Sequence, residues 1–148
     1  MNKYFALGVL ALVSSVAVVL AAAAFAGPRT QVAFAAQMNG FTGTLTASSV
    51  PGCPAGATVS TPQASFFVRG AVGHFTGQHK YGCDGGDTFT LSYIANGVSS
   101  RAISTGTWKI VEGTGVFAGL AGNGTLSGAG NPGTFSGVEL YTGTMTLP

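Results

Sequence analysis

The chain has 148 residues, of which only 7% are charged, a formal net charge of +2, and two cysteines. That length accommodates one domain with a real hydrophobic core and no more. The basic residues are scattered one at a time, which excludes an electrostatic footprint for nucleic acid, and the polar surface falls to Thr, Ser, Asn and Gln.

The chain opens on "MNKYFALGVLALVSSVAVVLAAAAFAG", where Lys3 precedes an apolar run and Ala24-Phe25-Ala26 offers the small-x-small pattern of a signal-peptidase site. Residues 1–26 are therefore expected as a cleavable signal peptide, with a second possible cut after Ala33-Phe34-Ala35. An apolar run of this length also spans a bilayer, but its Ala-rich end and cleavage pattern favour removal. The mature chain then divides into an N-terminal linker, 27–37, and a single domain, 38–148. It is secreted or periplasmic, with no stable membrane insertion once the signal is gone. In that oxidising setting Cys53 and Cys83 are expected to form a disulfide; a zinc site lacks closely paired ligands.

Beyond the leader no helical period of useful length appears, and period-two alternation recurs instead. "GFTGTLT" sets Phe41, Gly43 and Leu45 against threonines. The segment 48–62, rich in Pro, Gly and Ser, reads as a long loop holding Cys53. "HFTGQHKYGC" is joined by Asp84-Gly85-Gly86 to "DTFTLSYI", where Phe89, Leu91 and Tyr93 share a face. Asn96-Gly97, the favoured type I′ pair, predicts the next hairpin turn. "TGTWKIVE" then puts Trp108 and Ile110 opposite Thr107 and Lys109. "GAGNPG", 128–133, reads as another turn, and "LYTGTMTL" closes the chain with Tyr141, Gly143, Met145 and Leu147 on one face. About seven or eight strands, each with one apolar face and no helix to cover it, must close or stack on themselves. The expected fold is all-β, a small closed antiparallel barrel of about eight strands. Glycine recurring beside aromatics on the inner face suits tight coiling.

The stretch "GTGVFAGLAGNG", 113–124, raises the possibility of a phosphate loop. Such a loop needs a helix to receive the phosphate, and this segment is too rich in glycine to form one. The glycines instead serve a tight handover between strands. The same residues carry a resemblance. Gly113, Thr114, Gly115, Phe117, Gly119 and Gly122 are similar to the Gly-Thr-Gly-x-Phe-x-Gly-x-x-Gly signature of the allene oxide cyclase and dirigent-protein barrels. The hairpin from Cys83 to Leu91 and the Tyr141–Gly143 strand resemble exported bacterial relatives of that barrel. The resemblance covers about 75 residues, from Phe75 to the end, and implies an eight-stranded antiparallel barrel with an apolar interior. Where the plant proteins have Gly and Arg, this chain has Glu112 and Ala121, and none of their catalytic residues falls on a matched position. The resemblance carries the fold and leaves the chemistry behind.

Candidate chemistry rests on few residues. Glu112 has the parity of Trp108, and Glu139 that of Tyr141, so each is expected to point inward, where a carboxylate could act as general acid or base. A solvated strand-end glutamate is the plainer reading of both. His74 and His79 lie an odd five residues apart and face opposite sides of a regular strand. His79, with the parity of Phe75 and Tyr81, is the interior one; a packed histidine is the alternative to a ligand or base. No G-x-S-x-G occurs, turn formation accounts for Asp84 and Asp87 without calcium, and no metal or cofactor is expected. The irregular Thr-x-Thr pairs do not form a binding array, and outward threonines argue against a lipid-facing barrel. Phe41, Phe75, Phe89, Tyr93, Trp108, Phe135 and Tyr141 fall on apolar faces with His79. They either line a pocket for a small hydrophobic or aromatic molecule or fill the interior outright.

Three roles follow. The first is non-covalent binding of such a molecule inside the barrel, the second an isomerase or cyclase acting on it in the same pocket, the third a structural cell-envelope protein with a filled interior. A homo-oligomer is compatible with each.

Overall fold

In a computed structural model of the chain, the residues described are 27–98, 102–131, 134 and 136–147. The expected signal peptide and Phe135 lie outside them. Eight strands run β1 (Arg29–Asn39), β2 (Thr42–Ser48), β3 (Thr58–Arg69), β4 (Val72–Gly82), β5 (Thr88–Val98), β6 (Ile103–Gly113), β7 (Ala121–Asn131) and β8 (Ser136–Thr146). Each pairs antiparallel with the next, and β8 returns to β1, so the sheet closes into a ring. Among the described residues the helical content is two short 3₁₀ turns, Asp84–Gly86 and Gly115–Phe117, and no helix is long and apolar enough to cross a membrane.

Four local expectations are corrected. Residues 29–37, expected as linker, belong to β1, which buries Val32, Phe34, Ala36 and Met38 and pairs with β8 along its length. Its Ala-rich sequence beside the apolar leader hides the alternation. The long loop is shorter than 48–62, because residues 58–62 begin β3; Pro62 sits where that strand's register shifts, a bulge that spares its missing N–H. Asn96-Gly97 is not the turn. Both residues lie inside β5, paired with His74 and Gly73 on one side and with Thr105 and Ser104 on the other. Residues 128–131 of the expected "GAGNPG" turn are likewise strand, in β7; 132 and 133 are outside the described residues.

Glycine and aromatic residues share the interior as complementary shapes. A Cβ on Gly77 would stand 2.6 Å from the Tyr93 hydroxyl, and one on Gly143 2.7 Å from the Trp108 indole. Large rings fit because the glycine they lie against presents no side chain. β7 and β8 extend this principle: Gly124 pairs with Gly143 and Gly130 with Gly137, while Gly122 and Gly128 sit opposite Met145 and Glu139.

The interior divides into two halves. At the end where β4 passes to β5 and β6 to β7, aromatic side chains fill the ring. Phe34 stacks on Tyr141 (ring centroids 4.7 Å) and meets Tyr81 and Trp108 edge-on. Tyr81 stacks on Phe89, and Phe89 meets Phe117. Phe117, fully buried in the glycine-rich turn, caps this end together with Leu120 and the 49–57 loop, whose Val50 and Cys53 are buried. The Cys53–Cys83 disulfide ties that loop to the end of β4. The opposite half is left partly open.

Candidate functional site

A cavity of about 90 Å³ occupies the half bounded by the strand ends Asn39, Arg69, Val98, Ile103, Asn131 and Ser136. Its walls are largely apolar: Phe66 and Phe75 stack on each other at 4.6 Å, with Met38, Ala95 and Leu126 around them. The glycines of β7 and β8 leave room on the facing wall.

The floor carries the polar chemistry. Alternation along β4 sends Phe75, Gly77, His79 and Tyr81 inward, and His79 is held between neighbours on three strands. Its Nδ1 lies 2.9 Å from Thr61 Oγ1 on β3. Its ring stacks on Tyr93 of β5 at 4.7 Å. Its Nε2 lies 3.1 Å from Glu139 Oε2 on β8, an ion-pair contact bent away from ideal hydrogen-bond alignment. The Tyr141 hydroxyl donates to the same Glu139 Oε2 at 2.6 Å. His79 is almost sealed, with 3% of its side chain accessible, whereas Glu139 keeps 25% and faces the cavity.

Burial opposes ionisation of Glu139, but the hydrogen bond and charge of His79 and the Tyr141 hydroxyl outweigh it and hold the carboxyl below its ordinary value. With Glu139 ionised, His79 Nε2 carries the proton that faces it. Thr61 then donates to Nδ1 of the neutral ring or accepts from the imidazolium. The tyrosines are pushed the other way. Burial, then the charge of Glu139, raises Tyr93 to about 12, and burial foremost drives Tyr81 and Tyr141 well above the ordinary phenol value. The Tyr81 hydroxyl, buried against Tyr141, makes no hydrogen bond in good geometry. The floor is thus an ionised carboxylate with a proton-carrying histidine and neutral phenols.

Of the sequence-predicted residues, Phe75, His79, Tyr93 and Glu139 come together here. Phe89, Trp108 and Tyr141 are buried, but in the filled half, outside the cavity lining. Trp108 is fixed there by Nε1–H donation to the carbonyls of Thr125 (3.0 Å) and Thr142 (3.3 Å). Phe41 belongs to the β1–β2 turn and is 54% exposed. Glu112 faces outward, contrary to its expected inward orientation. The β5–β6 register shifts there, pairing Thr90 with Glu112 and Leu91 with Ile110, so Val111 is an extra residue that reverses the parity beyond it. Glu112 and Glu139 therefore lie on opposite faces of the sheet and form no carboxylate pair. His74 faces outward as parity requires, stacked on Phe67. Sequence reasoning missed Thr61 and Phe66. The pair Phe66-Phe67 points to both faces of β3, and only the bulge at Pro62 sets which ring enters the cavity.

Among the described residues no three His, Cys, Asp or Glu side chains gather to hold a metal ion. Comparisons with protein-family models, curated proteins and solved structures return no match.

Proposed function

We propose that this chain is an exported small β-barrel protein, similar in fold to the allene oxide cyclase and dirigent barrels, that binds a small apolar or aromatic molecule in its open half. The observation that carries this reading is the unequal filling of the interior. An aromatic plug closes one half, while the other keeps an apolar cavity with a single polar cluster on its floor, the usual composition of a ligand site. A filled structural barrel needs no such asymmetry. Export is supported by the disulfide and by the leader motif of the sequence. Cleavage before Gly27 would leave β1 whole, whereas cleavage after Ala35 would remove residues that pair with β8.

The test is native mass spectrometry of the mature protein after exposure to a lipid and aromatic-metabolite extract of its source. A discrete added mass is expected, reduced in Leu126→Phe, which fills the cavity from β7. A bare mass throughout would contradict the reading. Trp108→Ala is unsuited to this purpose, since Trp108 supports the fold below the cavity.

One observation favours a second reading, an isomerase or cyclase acting on the same molecule: His79 and Glu139 form an acid–base pair inside an apolar site. His79→Asn would then keep ligand affinity and lose turnover, with the outward Glu112→Gln as an unaffected control.

A further inference from the structure

The polar floor of the cavity is asymmetric in what it offers a ligand. Both partners of Glu139, the Tyr141 hydroxyl and His79 Nε2, meet the same oxygen, Oε2. Among the described residues nothing bonds to Oε1, and the side chain keeps a quarter of its surface open on the cavity side. A carboxylate oxygen that opens onto an apolar enclosure is a strong acceptor within reach of a ligand's donor. No lysine or arginine is among the described residues that line the cavity, and the Glu139 carboxylate itself disfavours an anion beside it. The Thr61 hydroxyl is likewise engaged, at His79 Nδ1.

We infer that the ligand carries a hydrogen-bond-donating nitrogen head, best an ammonium, and seats it on Oε1 of Glu139 with a one-ring apolar body against Phe66 and Phe75. This inference rests on the cavity reading above and adds the chemistry of the head group. The size follows from the space. An enclosed apolar cavity of roughly 150 Å³ accommodates benzene, so this smaller but open-ended one takes a single ring whose remainder extends into the mouth. The donor requirement follows from charge, since the carboxylate strengthens any bond donated to it and an ammonium adds the attraction of opposite charges.

Four probes of nearly constant body separate the possibilities: benzylamine, benzyl alcohol, toluene and benzoate, titrated at neutral pH with ligand-observed NMR. The expected order is benzylamine, then benzyl alcohol, then toluene, then benzoate. Benzylamine should lead benzyl alcohol by about tenfold. Glu139→Gln should bring the amine to within about twofold of the alcohol while leaving toluene unchanged. Benzoate or toluene binding as tightly as the amine would overturn the head-group inference and leave the cavity reading standing. Binding of none of the four would overturn both. The ranking on the unaltered protein decides the matter even if the Gln variant does not fold.

Discussion

Glu139 is the residue on which the chemistry of the cavity turns, because its ionised state is maintained against burial by two neighbours. Its folded pKa lies below the ordinary value of 4.5, so the stability it contributes is fully present above the carboxylate range. That contribution is lost as pH falls through and below the range. Urea midpoints measured at pH 7 and pH 3.5 should therefore differ less in Glu139→Gln than in the parent; an unchanged difference would contradict the assigned ion pair. The tyrosines predict the opposite limb. Tyr81, Tyr93 and Tyr141 have raised values in the fold, so their contribution is complete below about pH 10, the ordinary phenol value, and is lost as pH rises beyond it towards the folded values, about 12 for Tyr93. Ultraviolet titration should show these phenols ionising together with unfolding, and reversible ionisation near pH 10 in the folded state would be inconsistent with their burial.

At the scale of the element, the glycine-rich connection between β6 and β7 shows how local geometry serves the closed end. Gly115 has a φ of +57°, and a Cβ there would run into the Asp87 carboxylate, which accepts from the Val116 N–H at 3.2 Å. Gly85 also has a positive φ, +74°, with open space around it. Gly85→Ala should cost about 1 kcal/mol, from the dihedral alone, and Gly115→Ala at least about twice that, because the Asp87 contact is displaced as well. Equal losses in chemical denaturation would remove the packing role of Gly115. Phe117, carried by the same turn, should cost about 3–5 kcal/mol on truncation to Ala.

This scale also marks what could be read in advance. Alternating Thr against Leu, Phe, Tyr and Trp exposes β2, β5, β6 and β8 directly, and parity along β4 places His79 inside. Bulges are invisible to parity. One extra residue at Val111 turns Glu112 outward, and another near Pro62 decides that Phe66 rather than Phe67 meets Phe75. β1 escaped because alanine occupies both of its faces, and the β5–β6 turn was misplaced because Gly97 is required inside the strand. A Cβ there would lie 2.6 Å from the Ile103 carbonyl. The Glu139–His79 contact joins residues 60 positions apart, and only closure of the ring brings them together.

For the whole molecule, the ring is uneven in strength as well as in filling. β2 pairs with β3 over only three residues, Thr42–Thr44 against Thr58–Ser60, whereas β4 and β5 pair over eleven. The disulfide lies at this weak join, tying the loop that follows β2 to the end of β4. Its reduction should lower stability by about 3–4 kcal/mol on the loop-entropy model. Hydrogen exchange should then rise first in residues 42–57 while β5 stays protected; uniform loss of protection would show that the join is not the weak point. The central claim concerns the other axis of the molecule, a plugged half below an open half that receives a ligand. It is tested most directly by amide NMR during titration with benzyl alcohol. Saturable shifts are expected at Thr61, Phe75, His79, Tyr93 and Glu139, with Phe117 and the Trp108 indole silent. No saturable shift at those positions, or shifts centred on the closed end or the outer face, would contradict it.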